Sequence, residues 1–243
     1  MKYRRSLILA GALFAAFLVL ILLVKVVDVQ DIGPEGTSVG FATLNGAVHD
    51  ATVHNDAGYN PGWYKLTSAV GYLSILLGLL PVALAVMQFI GGKSIKKVDI
   101  RLLAYVGMLA LLAVAYVFFE VVIVNYRPAI VDVEEGVEAS FPSSHTMLSC
   151  TIMGGMLLLY QKYLRDYRYV RCAADAMSVL IILIMVVGRF LSGVHWLTDI
   201  VGGVLISAAL VLANDGVARY LIYRRKRQLE LAKLRGRKRK ISR

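Results

Sequence analysis

The sequence predicts an all-α integral membrane protein, a bundle of six transmembrane helices, from three observations. The chain of 243 residues is 58% hydrophobic and has a mean hydropathy of +0.66, which is too apolar for a soluble domain of this size. Its apolar residues fall into six runs of the kind that span a hydrocarbon core of roughly 30 Å. Its formal charge of +11 is concentrated between alternate runs and in the C-terminal tail.

The predicted spans lie in one domain, residues 1–243, and end in a basic tail at 224–243. They cover about 7–27, 66–90, 102–124, 146–160, 172–191 and 200–223. A cleaved signal peptide is an alternative for the first run, but this run continues beyond the roughly 7–15 apolar residues typical of such peptides. Pro81 in the second run is tolerable as a kink in a spanning helix.

The distribution of basic residues predicts the orientation in the cell membrane. Of the 27 Lys and Arg residues, 23 lie before the first run, in the two short turns at 91–101 and 161–171, or from Arg219 onward. The positive-inside rule therefore places both termini in the cytoplasm. The tail could bind nucleic acid, but contact with anionic lipid headgroups explains it sufficiently, so we expect membrane lipids and no nucleic acid as partners.

The polar segment at 28–64 is then an outside loop that contains His49 and His54. A metal pair at this spacing is conceivable, but two solvated histidines are the favoured interpretation because no cysteine or repeat accompanies them.

Three polar clusters are expected at the outer face, because each borders a span at that end. Arg127 follows the third span, and Ser143, Ser144 and His145 precede the fourth. The third cluster stands between the last two spans and contains Arg189, His195 and Asp199. Three separate segments that share one membrane level predict a composite site at the mouth of the bundle.

The residue types in these clusters favour phosphate chemistry. On a helix, Asp199 would share a face with His195, accept its N–H and fix its tautomer, leaving the other ring nitrogen free. Arginine forks suit phosphate oxygens, and free N–H groups at a helix start bind anions. Two histidines can divide a displacement between nucleophile and general acid. Because no carboxylate cage accompanies them, we predict phosphoryl transfer without a metal or cofactor.

These motifs resemble the three signatures of the type 2 phosphatidic acid phosphatase (PAP2) superfamily, whose patterns run K-x6-R-P, P-S-G-H and S-R-x5-H-x3-D. The matching stretches are Arg127-Pro128, Pro142-Ser143-Ser144-His145, and Arg189 with His195 and Asp199. The resemblance implies a PAP2/acid-phosphatase-like fold and an extracytoplasmic lipid phosphatase.

The resemblance also implies residue roles and substrates. His195 would form a phosphohistidine, Asp199 would orient it, and His145 would act as acid and then base. The phosphate would be held by Arg127, Arg189, Ser143 and Ser144. Implied substrates are phosphatidate, phosphatidylglycerol phosphate and undecaprenyl pyrophosphate, a polyprenyl pyrophosphate.

Three residues depart from the family patterns. Gly188 replaces a serine, Ser144 replaces a glycine, and Glu120 replaces the lysine seven residues before Arg127. Glu120 either pairs with an arginine near the phosphate or lies too deep to touch substrate, and we expect the missing lysine to weaken phosphate affinity. A catalytically weakened lipid-phosphate-binding protein of the same fold therefore remains the alternative function. A small transporter lacks support because the sequence has no inverted repeat.

Overall fold

A computed structural model describes the backbone of residues 2–241 and the side chains of residues 3–234. Within this part the chain forms seven α-helices. They are α1 (Lys2–Val26), α2 (Ala42–Thr52), α3 (Pro61–Gly92), α4 (Ile100–Val121), α5 (Ser144–Tyr163), α6 (Arg168–Ser192) and α7 (Leu197–Ile241). Six of them occupy the six predicted spans and extend most of these by a few residues, while the short α2 lies in the predicted outside loop.

Five helices of the described chain, namely α1, α3, α4, α6 and α7, are long and apolar enough to cross a membrane by themselves. The sixth predicted span, α5, has 20 residues but is less apolar. Its position explains this composition, because it packs against α3, α4, α6 and α7 at the centre of the bundle. Protein therefore surrounds much of α5 where lipid surrounds the other spans.

Small residues on α5 allow its neighbours to approach closely. A Cβ atom at Gly155 would lie 2.5 Å from the Met108 side chain of α4, and one at Gly154 would lie 2.8 Å from Val211 of α7. Thr146, Ser149 and Thr151 are also fully buried on α5. This helix is therefore the core element around which the spanning helices pack.

The polar clusters meet at one end of the bundle, which we call the site end. There Asn60, which precedes α3, donates to the Leu191 carbonyl of α6 at 2.6 Å. The Ser143 N–H at the start of α5 donates to the Asp199 carbonyl of α7 at 2.9 Å. At the opposite end, the Tyr163 hydroxyl of α5 donates to Asp99 before α4 at 2.9 Å. The two basic turns lie at this opposite end.

Helix α7 continues without a break beyond the predicted end of the last span at 223. The predicted basic tail from 224 is therefore helical as far as Ile241, although side chains beyond 234, including the run at 235–240, lie outside the described residues. Nearer its middle, Asp215 accepts from Ser6 of α1 at 2.8 Å and pairs with Arg219 at 2.6 Å. Asp215 therefore joins α1 to α7.

The outside loop packs α2 against the start of α7. The buried Asn45 side chain donates to the Thr198 hydroxyl at 3.0 Å and accepts from the Thr198 N–H at 3.3 Å. His49 contacts the Gly58 carbonyl at 3.1 Å and lies 5.6 Å from the Trp196 ring, whereas His54 is exposed. The prediction of two solvated histidines is therefore wrong for His49, whose side chain is only 17% exposed.

Candidate active site

Arg189 occupies the last turn of α6 and is fully buried. One terminal nitrogen, Nη2, donates to Ser68 Oγ of α3 at 3.0 Å, and the guanidinium carbon lies 5.2 Å from the centre of the Tyr64 ring. The hydroxyl and the aromatic face hold the guanidinium in one orientation. Its Nε and Nη1 atoms have no partner among the described residues.

His195 stands in the tight turn between α6 and α7. Gly193 ends α6 with a φ of 69°, a left-handed conformation that glycine adopts without steric cost, and α7 begins at Leu197. His195 therefore precedes the helix that carries Asp199, and the two residues do not form the helical pair that their spacing predicts. The direct histidine–carboxylate hydrogen bond expected from the sequence is replaced by a bridged arrangement.

Ser140 forms this bridge from the loop before α5. Its Oγ lies 3.1 Å from His195 Nδ1 and 2.5 Å from Asp199 Oδ2. Asp199 also accepts the Trp196 N–H at 2.9 Å and lies 3.5 Å from the Asn125 amide nitrogen. Sequence reasoning missed Ser140 and Asn125, because neither belongs to a motif and only the folded loop brings them to the carboxylate.

The bridge defines the tautomer of His195. When Asp199 is ionised its carboxylate only accepts hydrogen bonds, so the single Ser140 proton goes to Asp199. Ser140 Oγ must then accept from the Nδ1–H of His195. This tautomer leaves the lone pair on Nε2, which is buried and has no hydrogen-bond partner among the residues described. The geometry therefore gives His195 an unprotonated nitrogen that can attack.

Ser143, Ser144 and His145 begin α5 beside this histidine. The Ser143 N–H is already donated to the Asp199 carbonyl, so it is not one of the free donors expected at this helix start. The His145 ring packs closely against α3, because a Cβ atom at Gly71 would lie 2.9 Å from its Cδ2 atom. Its buried Nδ1 has no partner in the described part of the chain.

Arg127 follows α4 and is paired with an acid that belongs to none of the three motifs. Its Nη1 lies 3.1 Å from Glu138 Oε2, and its backbone N–H donates to the Glu138 carbonyl at 3.0 Å. Burial raises the pKa of Glu138, although Arg127 opposes this effect. Arg127 Nε is buried without a partner among the described residues, so part of the guanidinium stays available to another anion.

The two departures at Glu120 and Gly188 differ in their surroundings. Glu120 is exposed, lies beside the Tyr116 phenol, and lines a shallow pocket with Ser144. It is thus Glu138, and not Glu120, that pairs with Arg127.

At Gly188, an added Cβ atom would lie 2.4 Å from Thr67 Cγ2 on α3. Thr67 therefore fills the space that a serine at 188 would need.

Unpartnered nitrogen atoms from three segments converge on one region. They are Nε of Arg127, Nε and Nη1 of Arg189, Nδ1 of His145 and Nε2 of His195, each buried without a partner among the described residues. Burial lowers the pKa of His195 well below its usual value, and the charges of Arg127 and Arg189 lower it further. The buried arginine N–H donors cost about 1–3 kcal/mol each when left unpaired, and an oxyanion would accept from them. The arrangement fits a phosphate beside a neutral histidine nucleophile.

Within the described residues, no group of three or more His, Cys, Asp or Glu side chains could hold a metal ion.

Comparison with known proteins identifies the family. A family model described as the PAP2 superfamily matches residues 101–226, more than half of the chain, and this stretch contains all three polar clusters. The chain belongs to the PAP2 superfamily. Membership supports a phosphatase, as the three motifs indicate.

The PAP2 fold is supported separately by a solved structure. The chain is similar to the protein in the "Crystal structure of the first transmembrane PAP2 type phosphatidylglycerolphosphate phosphatase from Bacillus subtilis", with a TM-score of 0.57 and 19% sequence identity. The match covers 85% of this chain and 94% of that chain. No curated protein sequence matches the chain. The predicted all-α membrane bundle is thereby confirmed.

Proposed function

We propose that this PAP2 protein is a membrane lipid phosphatase that hydrolyses a phosphate monoester or a pyrophosphate of a lipid. The observation that carries the proposal is the set of unpaired arginine and histidine nitrogens around His195 Nε2. A phosphoryl group supplies the acceptor oxygens that these donors lack, and its phosphorus is the electrophile that the lone pair requires.

In the proposed reaction, His195 Nε2 attacks phosphorus and the bond from phosphorus to the lipid oxygen breaks. His145 donates a proton to that leaving oxygen, so that the lipid departs as an alcohol, or as a monophosphate when the substrate is a pyrophosphate. His145 then takes a proton from water, and the resulting hydroxide attacks the phosphohistidine. The P–N bond breaks, inorganic phosphate leaves, and neutral His195 is restored with its Nδ1–H still on Ser140.

The two arginines stabilise charge on the phosphoryl oxygens during both steps. Arg189 is held for this role by Ser68 and Tyr64, while Arg127 is shared with Glu138. We infer that no metal is required, since cationic side chains supply the positive charge that a metal would otherwise provide.

The substrate is proposed to be a lipid because the site lies at the end of a membrane bundle. Candidates are phosphatidate, phosphatidylglycerol phosphate and a polyprenyl pyrophosphate such as undecaprenyl pyrophosphate. The similar Bacillus subtilis structure is of a phosphatidylglycerolphosphate phosphatase, which supports placing that lipid on the panel. The distribution of Lys and Arg supports an extracytoplasmic site and cytoplasmic termini.

The test is phosphate release by the purified full chain in detergent, with a panel of these lipids and with EDTA present. We expect release from at least one lipid, and its loss in His195→Ala and in His145→Ala. The matched control is His54→Ala, since His54 is exposed in the outside loop. Full activity in either active-site variant would overturn the mechanism, and abolition by EDTA would overturn metal independence.

A binding protein without turnover is the second candidate, favoured by the acidic partner of Arg127 and by Glu120 at the family's lysine position. Such a protein would bind the phosphorylated lipid without releasing phosphate, and vanadate would displace the bound lipid by competition. The intact bridge from Asp199 through Ser140 to His195 favours the enzyme.

A further inference from the structure

A second basic site lies at the end of the bundle opposite to the catalytic histidines. There a cavity of about 670 Å³, here called the basic cavity, lies between four helices. It is bordered by the ends of α3 and α5, the start of α4 and the middle of α7. Five cations line it, namely Lys97, Arg101, Lys162, Arg225 and Lys226. His145 and Lys162 stand at opposite ends of α5, about 25 Å apart at about 1.5 Å per residue. The basic cavity is therefore separate from the candidate active site.

The single carboxylate in the lining is already fully used. Asp99 pairs with Lys162, accepts from the Tyr163 hydroxyl at 2.9 Å, and caps α4 by accepting the Arg101 N–H at 2.9 Å. No ion pair within the described residues engages the side chains of the other four cations. Like charges gathered around one cavity repel each other, and an anion bound among them would relieve that repulsion.

Besides Gln88 and Tyr163, the remaining lining is aliphatic, which favours a ligand with an apolar part over a soluble anion. The lining includes the buried Val98 and, from α7, Ile222 and Leu229, of which Leu229 is 57% exposed. A cavity of this volume is within the roughly 300–1,000 Å³ range of ligand sites. Cations beside exposed aliphatic side chains suit a ligand with a charged head and an apolar body.

The position of the basic cavity along the bundle also favours a lipid as its ligand. These cations belong to the basic turns and to the basic part of α7, which the positive-inside rule assigns to the cytoplasmic leaflet. Lys97, Arg225 and Lys226 are exposed, but together with Arg101 and Lys162 they line one cavity at the ends of spanning helices. Anionic headgroups are concentrated at this membrane level.

We propose that the basic cavity binds the phosphate of an anionic phospholipid from the leaflet opposite to the active site. Arg101 and Arg225 are placed to contact the phosphodiester oxygens, and Lys97 and Lys226 complete the positive field. Ile222 and Leu229 contact the glycerol and the first part of an acyl chain. Because the ligand is a phosphodiester held far from His195, it is a resident lipid and not a substrate.

The test is native mass spectrometry of the full chain in mild detergent after addition of phosphatidylglycerol or phosphatidylcholine. The cavity variant is Lys97→Gln with Arg225→Gln. The matched control is Lys96→Gln with Arg224→Gln, which removes the same charge from neighbouring residues outside the lining. We expect the wild type and the control to retain one phosphatidylglycerol in preference to phosphatidylcholine, and the cavity variant to bind it at least about tenfold more weakly.

Equal retention by all three proteins, or equal loss in the control and cavity variants, would overturn the proposal. Inorganic diphosphate is the third probe, measured by its effect on the Tm of each protein. In one outcome, diphosphate raises the Tm of the wild type and the control but not that of the cavity variant, while no protein retains phosphatidylglycerol. That result would assign the cavity to a soluble anion and reject the lipid. If the cavity variant does not fold, Lys226→Gln with the control Arg227→Gln makes the same comparison. Lipid retention does not depend on phosphate release, so the outcome is independent of the proposed phosphatase activity.

Discussion

Arg127 Nη1 lies 3.1 Å from Glu138 Oε2, so one of the two arginines of the candidate site already has an anionic partner. The side chains are 12% and 25% exposed, which makes the pair only partly screened by solvent. A substrate phosphate must compete with this carboxylate for the guanidinium. The pair therefore sets how much positive charge the site offers before substrate binds.

The first prediction follows from this competition. In Glu138→Gln the amide binds Arg127 less strongly, so we expect the KM for the phosphorylated lipid to fall roughly three- to tenfold with a smaller change in kcat. The matched control is Glu134→Gln, which removes the same charge from an exposed position in the same loop. A rise in KM would show instead that Glu138 positions Arg127 for substrate.

The second prediction concerns the bridge between His195 and Asp199. Ser140→Ala leaves His195 Nδ1–H without its acceptor, at a cost of about 1–3 kcal/mol, so we expect kcat to fall roughly 10- to 100-fold. Ser149→Ala is the control, because Ser149 Oγ is buried on α5 without a partner among the described residues. Rescue by Ser140→Thr would support positioning through the hydroxyl, and unchanged kcat in Ser140→Ala would rule out the bridge.

The third prediction is the protonation state of His195. Because its pKa is well below the usual 6.5, the folded protein keeps the neutral Nδ1–H form at pH values where an unfolded chain is protonated. The unfolded state then binds more protons, so stability falls as the pH drops below about 6.5.

Nitrogen-15 NMR of the histidine-labelled protein between pH 5 and 8 measures both tautomer and titration. The His195 signal is assigned by its loss in His195→Gln. We expect an Nδ1–H signal without titration above pH 6.5, and an Nε2–H signal would contradict the assigned tautomer.

The fourth prediction tests the missing lysine. Glu120 lines a shallow pocket with Ser144 near the start of α5, so Glu120→Lys should add positive charge near the phosphate and lower KM several-fold. Glu134→Lys is the control, because it makes the same change of charge at an exposed position in the loop between α4 and α5. An unchanged KM in Glu120→Lys would mean that this position does not influence substrate.

The fifth prediction uses the contact between α6 and α3. Gly188→Ser restores the family residue but forces its Cβ against Thr67 Cγ2, which should destabilise the protein by about 1–3 kcal/mol. Thr67→Ser removes only that methyl group and should restore the Tm in the double variant. Additive Tm losses from the two single variants would show that the contact does not limit position 188.

The fold was largely predictable because apolar runs and charge distribution are local properties of the sequence. The same properties underestimated the length of α5, which runs from Ser144 to Tyr163 and not only over 146–160. This helix is less apolar than the other spans because protein surrounds it. These local properties placed the last span at 200–223 but gave no sign that the basic segment after it continues as the same helix, α7.

The motif residues were predictable as a group, but their connections were not. A spacing of four suggested a helical pair for His195 and Asp199, whereas the turn at Gly193 places His195 before α7. Ser140 and Glu138 come from the loop before α5, and their roles depend on how that loop folds back onto α4 and α7. Such contacts between distant segments leave no periodic signal in one sequence.

The central position of α5 has a consequence for biogenesis. A segment that lacks the apolarity of its neighbours partitions poorly into lipid alone, so its insertion depends on helices synthesised before and after it. His145 at its start meets His195 only after α6 has been released and α7 has begun to emerge. In a chain arrested before α7, His145 and His195 are therefore not yet held in position. The site is completed only at the last stage of membrane assembly.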